Sequence, residues 1–300
     1  MTLCIQSFRR HALLVATLLS TAVISMTART ARADHPRDWM FAAQPGGTYL
    51  NTDLVMPGLQ AQLEHRIPIY GQSNELDLRF TALPTLFFAE SQVDVELRIL
   101  ILTLGVSVGV RDTFYNMQLG KDEAFDLKGR MAAEDRNGYT NKFSAYGEGR
   151  LQLAIPFNDH VALLAVGGAR YEGGQDRVFD WRYTIVRDAG LMLRSNTTLF
   201  YHHRKFGGIG PQLEVLSFDY NEKRSTAINL GFLYVGRVGL LSKRSDMLYL
   251  CVLFGVGGST NGVPTSEVYG DHYFFKMPIN VQLAYRMVWE LNVPPPPGSD

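Results

Sequence analysis

The chain alternates between apolar and polar positions over long stretches. From residue 273 to 289 every odd position is apolar or aromatic: Tyr273, Phe275, Met277, Ile279, Val281, Leu283, Tyr285, Met287 and Trp289. His272, Lys276, Asn280, Gln282, Arg286 and Glu290 share the even side. A period of two gives a strand one apolar and one polar face. Strands of soluble proteins average roughly 5–6 residues, and this segment is about three times as long. Phe275 and Tyr285 are separated by ~34 Å of extended chain at ~3.4 Å per residue. A ~40° tilt reduces that to ~26 Å, close to the ~25 Å apolar band of a transmembrane barrel with aromatic girdles at its rims. Phe275, Tyr285 and Trp289 are therefore the candidate girdle residues.

The same alternation recurs upstream. Residues 59–70 set Leu59, Ala61, Leu63, Ile67 and Ile69 against Gln60, Gln62, Glu64 and Arg66, with His65 interrupting the apolar side. The next segment opposes Leu76, Leu78 and Phe80 to Glu75, Asp77 and Arg79. From Gln92 the apolar phase holds to Ile101, then shifts by one residue, which implies either a bulge or a tight turn near Leu100–Leu102. Residues 116–141 are polar and predict a long loop. A hairpin is expected over 146–171, around Pro156 to His160. Residues 172–205 are either a second long loop or strand extensions rising above the membrane. Strands at 207–219, 225–240 and 247–258 precede the last one. Ten strands are visible directly, and the expected range is ten to twelve. Placing the 156–160 and 220–224 turns in the periplasm sends the final strand outward. That conflicts with both chain ends lying in the periplasm and points to a miscounted strand.

Composition changes this picture in two ways. Formal net charge is zero, so nothing points to nucleic acid, and mean hydropathy is −0.05, as alternating strands require. After residue 33 no uninterrupted run of about 18 apolar residues exists, which excludes a helical span. Residues 1–33 read as a secretory signal peptide, with basic Arg9 and Arg10, apolar Ala12–Met26, and Ala31-Arg32-Ala33 placing cleavage before Asp34. The expected organisation is a periplasmic lead-in over 34–48, the barrel over 49–290 and a proline-rich tail over 291–300. Cys4 would leave with the signal. Cys251 then stands alone, without an internal disulfide.

Signal peptide, alternating segments and the aromatic-ended Ile279–Trp289 strand together resemble the outer-membrane β-barrel proteins of Gram-negative bacteria. The resemblance covers most of residues 49–290. It implies an all-β antiparallel transmembrane barrel, outer-membrane lipids and lipopolysaccharide around it, and the barrel assembly machinery as a partner. Such proteins usually end on the aromatic residue of the last strand, whereas eleven residues follow Trp289 here. No subfamily motif is present. The oligomeric state is open.

Candidate chemistry lies on the polar faces. Glu64 and Arg66, Asp77 and Arg79, Asp94, Glu96 and Arg98, Glu148 and Arg150, and Arg286 are the expected lumen charges, forming either an ion-paired plug or a narrow selective pore. No cofactor and no metal are expected, because neither His202 nor His203 has a ligand-like spacing. An alternative is a lipid- or lipopolysaccharide-modifying enzyme with groups on the outer rim near His202, His203 or His272. A weaker one is a soluble exported β protein with an apolar ligand. The arginines from Arg170 to Arg204 could meet lipopolysaccharide phosphates, although Asp176, Asp180 and Asp188 favour ordinary loop solvation. The Gly207–Gly210 run suggests close strand approach.

Overall fold

The computed structural model describes residues 46–55, 58–69, 74–85, 88–113, 142–158, 160–180, 182–183, 185–203, 207–220, 222–237, 246–260, 263–264 and 279–292. The expected signal peptide, most of the expected lead-in, residues 116–141, Phe275, His272 and residues 293–300 lie outside the described residues.

Every described regular element is a strand: β1 (Gly47–Val55), β2 (Gly58–Pro68), β3 (Asn74–Pro84), β4 (Phe88–Ile99), β5 (Leu102–Thr113), β6 (Lys142–Pro156), β7 (Val161–Asp180), β8 (Ile185–His203), β9 (Gly207–Tyr220), β10 (Lys223–Arg237), β11 (Met247–Thr260), β12 (Val263–Pro264) and β13 (Ile279–Asn292). Each long strand pairs antiparallel with its sequence neighbour, β11 pairs with β13, and β13 pairs with β1. The ring is closed, with twelve strands and the two-residue β12 attached to β11. Closure matters because lipid cannot satisfy an unpaired edge. Followed once around, the registers accumulate a stagger of about 16 residues, which for this strand number tilts the strands by roughly 40–45° and sets the backbone diameter near 25 Å.

The alternation decides which face looks where. Leu54, Leu63, Leu78, Val93, Val106, Leu151, Tyr171, Leu193, Leu213, Leu230, Phe254 and Val281, one from each strand of the ring, are exposed. Asp53, Glu64, Asp77, Asp94, Ser107 and Asn280, each next to one of them, are buried. An apolar belt on all sides with polar groups inside is the inverse of a soluble protein. It identifies an outer-membrane-type transmembrane barrel and removes the soluble alternative.

Two strands hidden from sequence patterning, β1 and β8, raise the visible ten to twelve. β8 occupies much of the 172–205 segment. Its inward face carries Met192 and Phe200, both buried, so apolar residues fall on both faces and the alternation is blurred. Inserting β8 also corrects the topology. The 156–160 turn, the start of β1 and the end of β13 share one end of the barrel, and the 220–224 turn lies at the opposite end, with the ends of β5 and β12. The phase shift near residue 100 is a tight turn, not a bulge. Leu100 adopts φ 54° and its N–H donates to Asn74 Oδ1 at 3.1 Å.

Candidate functional site

The lumen is lined by one face of every strand, and its most distinctive feature lies on β7 and β8. Both are longer than their neighbours. Their regular ladder runs from Val161↔Tyr201 to Glu172↔Gly190, breaks, and resumes at Arg177↔Asp188. Gly174 (φ +93°) and Gly190 (φ +128°) flank the break. Backbone of that hand is open to glycine and costly for other residues. A Cβ on Gly174 would also lie 2.7 Å from the Phe143 carbonyl oxygen. The hairpin bends at this point, and its tip turns into the barrel.

The contacts of the tip establish the inward path. Arg182 reaches Glu90 Oε1 on β4 (3.3 Å) and Glu148 Oε2 on β6 (3.8 Å), and donates to Gln92 Oε1 at 3.2 Å. Its carbonyl accepts from Asn280 Nδ2 on β13 at 3.2 Å, and from Gln282. β6 and β13 face each other across the ring, six strands apart in either direction. One residue at the tip therefore bridges opposite walls. Tyr183, which is buried, accepts from Arg194, and Arg194 in turn pairs with Glu148. Asp180 and Ile185, which pair across the tip, are fully buried.

At the base of the bend a carboxylate collects three guanidiniums. Glu172, wholly buried, lies 2.8 Å from Arg187, 3.0 Å from Arg170 and 3.5 Å from Arg111, and accepts from the Ser144 hydroxyl at 2.8 Å. Arg111 also pairs with Glu90 at 2.9 Å, and Arg170 stacks 3.6 Å over the Tyr146 ring. Tyr146 donates to Glu90 Oε1 at 2.5 Å and lies over Gly109, where a Cβ would collide with the ring. Each desolvated charge here has partners of opposite sign, as burial requires.

Between this cluster and the end where β1 begins and β13 finishes runs a second set. It contains all ten charged positions picked out from the sequence except Glu148. Glu64 lies 2.7 Å from Arg66 and 3.4 Å from Arg79; Arg79 also reaches Asp77 at 3.2 Å and contacts Glu96. Arg150 crosses to Asp94 (2.6 Å) and Glu96 (2.8 Å), Arg98 meets Glu75 (2.5 Å), and Arg286 clasps Asp53 with two contacts of 2.7 Å. Gly105, opposite Arg150, leaves room for that side chain. The wall from β9 to β11 differs: Gln212, Leu216, Phe218, Ala227, Asn229, Val235, Cys251 and Leu253 are buried there, and Glu214 is the charge among them.

Other expectations are corrected by position. Arg170, Arg182, Arg187 and Arg194 neither face external phosphates nor sit in a solvated loop; they point inward onto carboxylates. His202 and His203 close β8 at the end where β1 begins and β13 finishes, beside His160, whose carbonyl accepts from the His202 N–H at 2.6 Å. They do not reach the long-loop rim where enzymatic groups were sought. Of the girdle residues, Trp289 is half-buried. Tyr285 is 9% exposed and donates to Asp246 Oδ2 at 2.5 Å. The glycine run packs as expected, since a Cβ on Gly208 would lie 1.8 Å from the Phe200 ring. Among the described residues no group of three or more His, Cys, Asp and Glu side chains is placed to hold a metal ion.

The inward fold of the tip was missed from sequence. The available signals were Gly173-Gly174 opposite Gly190, and arginines interleaved with Glu172, Asp180 and Asp188 in a segment too charged to face lipid.

No protein-family model and no curated protein matches the chain. Among solved structures it is similar to an outer-membrane channel from Pseudomonas putida F1, at 11% identity, 87% of this chain, 99% of that one and a TM-score of 0.47. The NanC porin aligns at 10% identity over 82% of this chain and 99% of its own, with a TM-score of 0.33. The KdgM porin aligns at 10% over 80% and 95%, with a TM-score of 0.29. The fold assignment rests on the closed ring and the apolar belt.

Proposed function

We propose that the protein is a narrow channel of the outer membrane of a Gram-negative bacterium, its passage set by the β7–β8 tip. The observation that carries this is Arg182, which spans the lumen between Glu90 and Glu148 on one side and Asn280 on the other. A barrel serving as an anchor or rigid scaffold needs no strand pair folded into its own interior. A barrel that controls passage does, because a ring of this strand number leaves more room than wall side chains alone fill. Short turns and both chain ends belong in the periplasm and the long connections outside. That orientation puts the tip on the external side of the lumen. Outer-membrane lipids, lipopolysaccharide and the barrel assembly machinery are the partners such a location entails.

The test is single-channel recording in planar bilayers of the purified chain and of Arg182→Ala. Small discrete steps are expected for the parent, with a larger conductance or longer open times for the variant, whose tip loses its ties to β4 and β6. Electrical silence of both proteins, with insertion demonstrated by protection from protease, would overturn the channel reading.

A further inference from the structure

The polar lumen is close to neutral by count, yet its two signs do not sit at the same depth. Across six ion-paired arginines, Arg66, Arg79, Arg150, Arg182, Arg194 and Arg286, the side chains keep between 14% and 27% of their surface exposed. The carboxylates that pair with them keep between 2% and 12%. The asymmetry has a simple origin. For the five arginines on wall strands both signs spring from the same inward face, and the arginine stem is longer, so its head lies nearer the axis while the carboxylate stays against the wall; Arg182 instead enters the lumen from the tip. Stacking helps to hold that posture, with Arg66 at 4.8 Å over the Tyr49 ring and Arg286 at 5.6 Å over Tyr249. Arg111, Arg170 and Arg187, by contrast, are within 2% of complete burial and belong to the wall.

We infer that these six guanidiniums form a positive track along the lumen, so that the channel selects anions, above all solutes bearing carboxylate or phosphate oxygens. The inference rests on the channel reading above. The six heads run from Arg66, two residues from the end of β2, through Arg79, Arg286 and Arg150, to Arg194 and Arg182 at the tip. A solute passing the tip therefore moves from one fork-shaped donor to the next. Guanidinium groups suit oxyanions because they pair with two oxygens at once and remain weakly hydrated. Charges set at the axis also act on a permeating ion at shorter range than those behind them, and a low-dielectric wall limits the screening of the difference. Each cation retains its carboxylate, so an anion is held by a partly neutralised donor and can be released. Conduction requires such weak, repeated sites.

The test is the reversal potential under a potassium chloride gradient, measured on the parent, Arg79→Gln, Arg150→Gln and Glu96→Gln. The parent is expected to pass chloride over potassium with a ratio above about 2 at ~0.1 M salt, falling toward unity at ~1 M as the Debye length shrinks from ~10 Å to ~3 Å. Each arginine substitution should lower that ratio. Glu96→Gln should raise it, because it uncovers Arg79 and Arg150 together. A structural defect alone would not move the two kinds of variant in opposite directions. A cation preference in the parent, or a ratio indifferent to all three substitutions, overturns the inference while leaving the channel reading intact. Silence of the parent and of Arg182→Ala overturns the channel reading, and the inference with it.

Discussion

Removing the carboxylate of Glu172 should release the tip without unfolding the barrel. In Glu172→Gln the amide can still accept from Ser144, but three guanidiniums that are at most 2% exposed lose their shared anion. Breaking a buried ion pair from one side costs about 3–5 kcal/mol. Arg111 retains Glu90 at 2.9 Å and Arg187 retains Asp180 at 3.7 Å, which favours the lower figure, about 3 kcal/mol. The barrel ladder does not depend on the cluster. The cost can be relieved locally by swinging the hairpin out at Gly174 and Gly190, which lets water reach the arginines. At about 1.4 kcal/mol per decade, the released population should rise by roughly 10²-fold. Cys251 supplies the reporter, being inward-facing, buried and 3.7 Å from Gln212 on the wall near the tip. In a chain carrying Cys4→Ser, a charged thiol reagent should label Cys251 slowly in the parent and about 10²-fold faster in Glu172→Gln, if opening precedes reaction. A rate within about threefold of the parent, in a variant that still unfolds at the parent's denaturant midpoint, would refute the assignment of Glu172 as the clasp of the tip.

Further outcomes follow from individual positions. Gly174→Val combines a positive φ with a Cβ 2.7 Å from the Phe143 carbonyl, and should weaken the bend by about 1–3 kcal/mol, read as faster Cys251 labelling. Val106→Arg places a charge on the outer face at a position 62% exposed to lipid. It should cost about 2–4 kcal/mol in urea unfolding from vesicles if the site lies near the midplane, and much less in detergent. Gly208→Leu would drive a side chain into the Phe200 ring, and should reduce the yield of folded barrel on gel-shift assay, since overpacking in a filled interior costs about 1–3 kcal/mol or more.

What the sequence determined by itself was the material of the wall. A period of two sustained over segments such as Gln92–Ile99 and Ile279–Trp289 assigns every side chain to lipid or lumen, because alternation is a property of the extended backbone and needs no tertiary information. Placing Glu64, Asp77, Asp94 and Arg286 on one inward face followed from that alone. What only the tertiary structure decided was how the faces close and what fills the space within. β8 escaped detection because its inward face meets the folded tip and is apolar at Met192 and Phe200, which cancels the alternation. The end to which each turn belongs depends on the parity of the strand count, a global quantity that one hidden strand reverses. The partners of Arg182 on β4 and β13 are about 90 to 100 residues away from it, and β13 lies across a ring whose diameter follows from strand number and stagger. Local pattern cannot encode contacts of that kind, since they exist only once the sheet has closed upon itself.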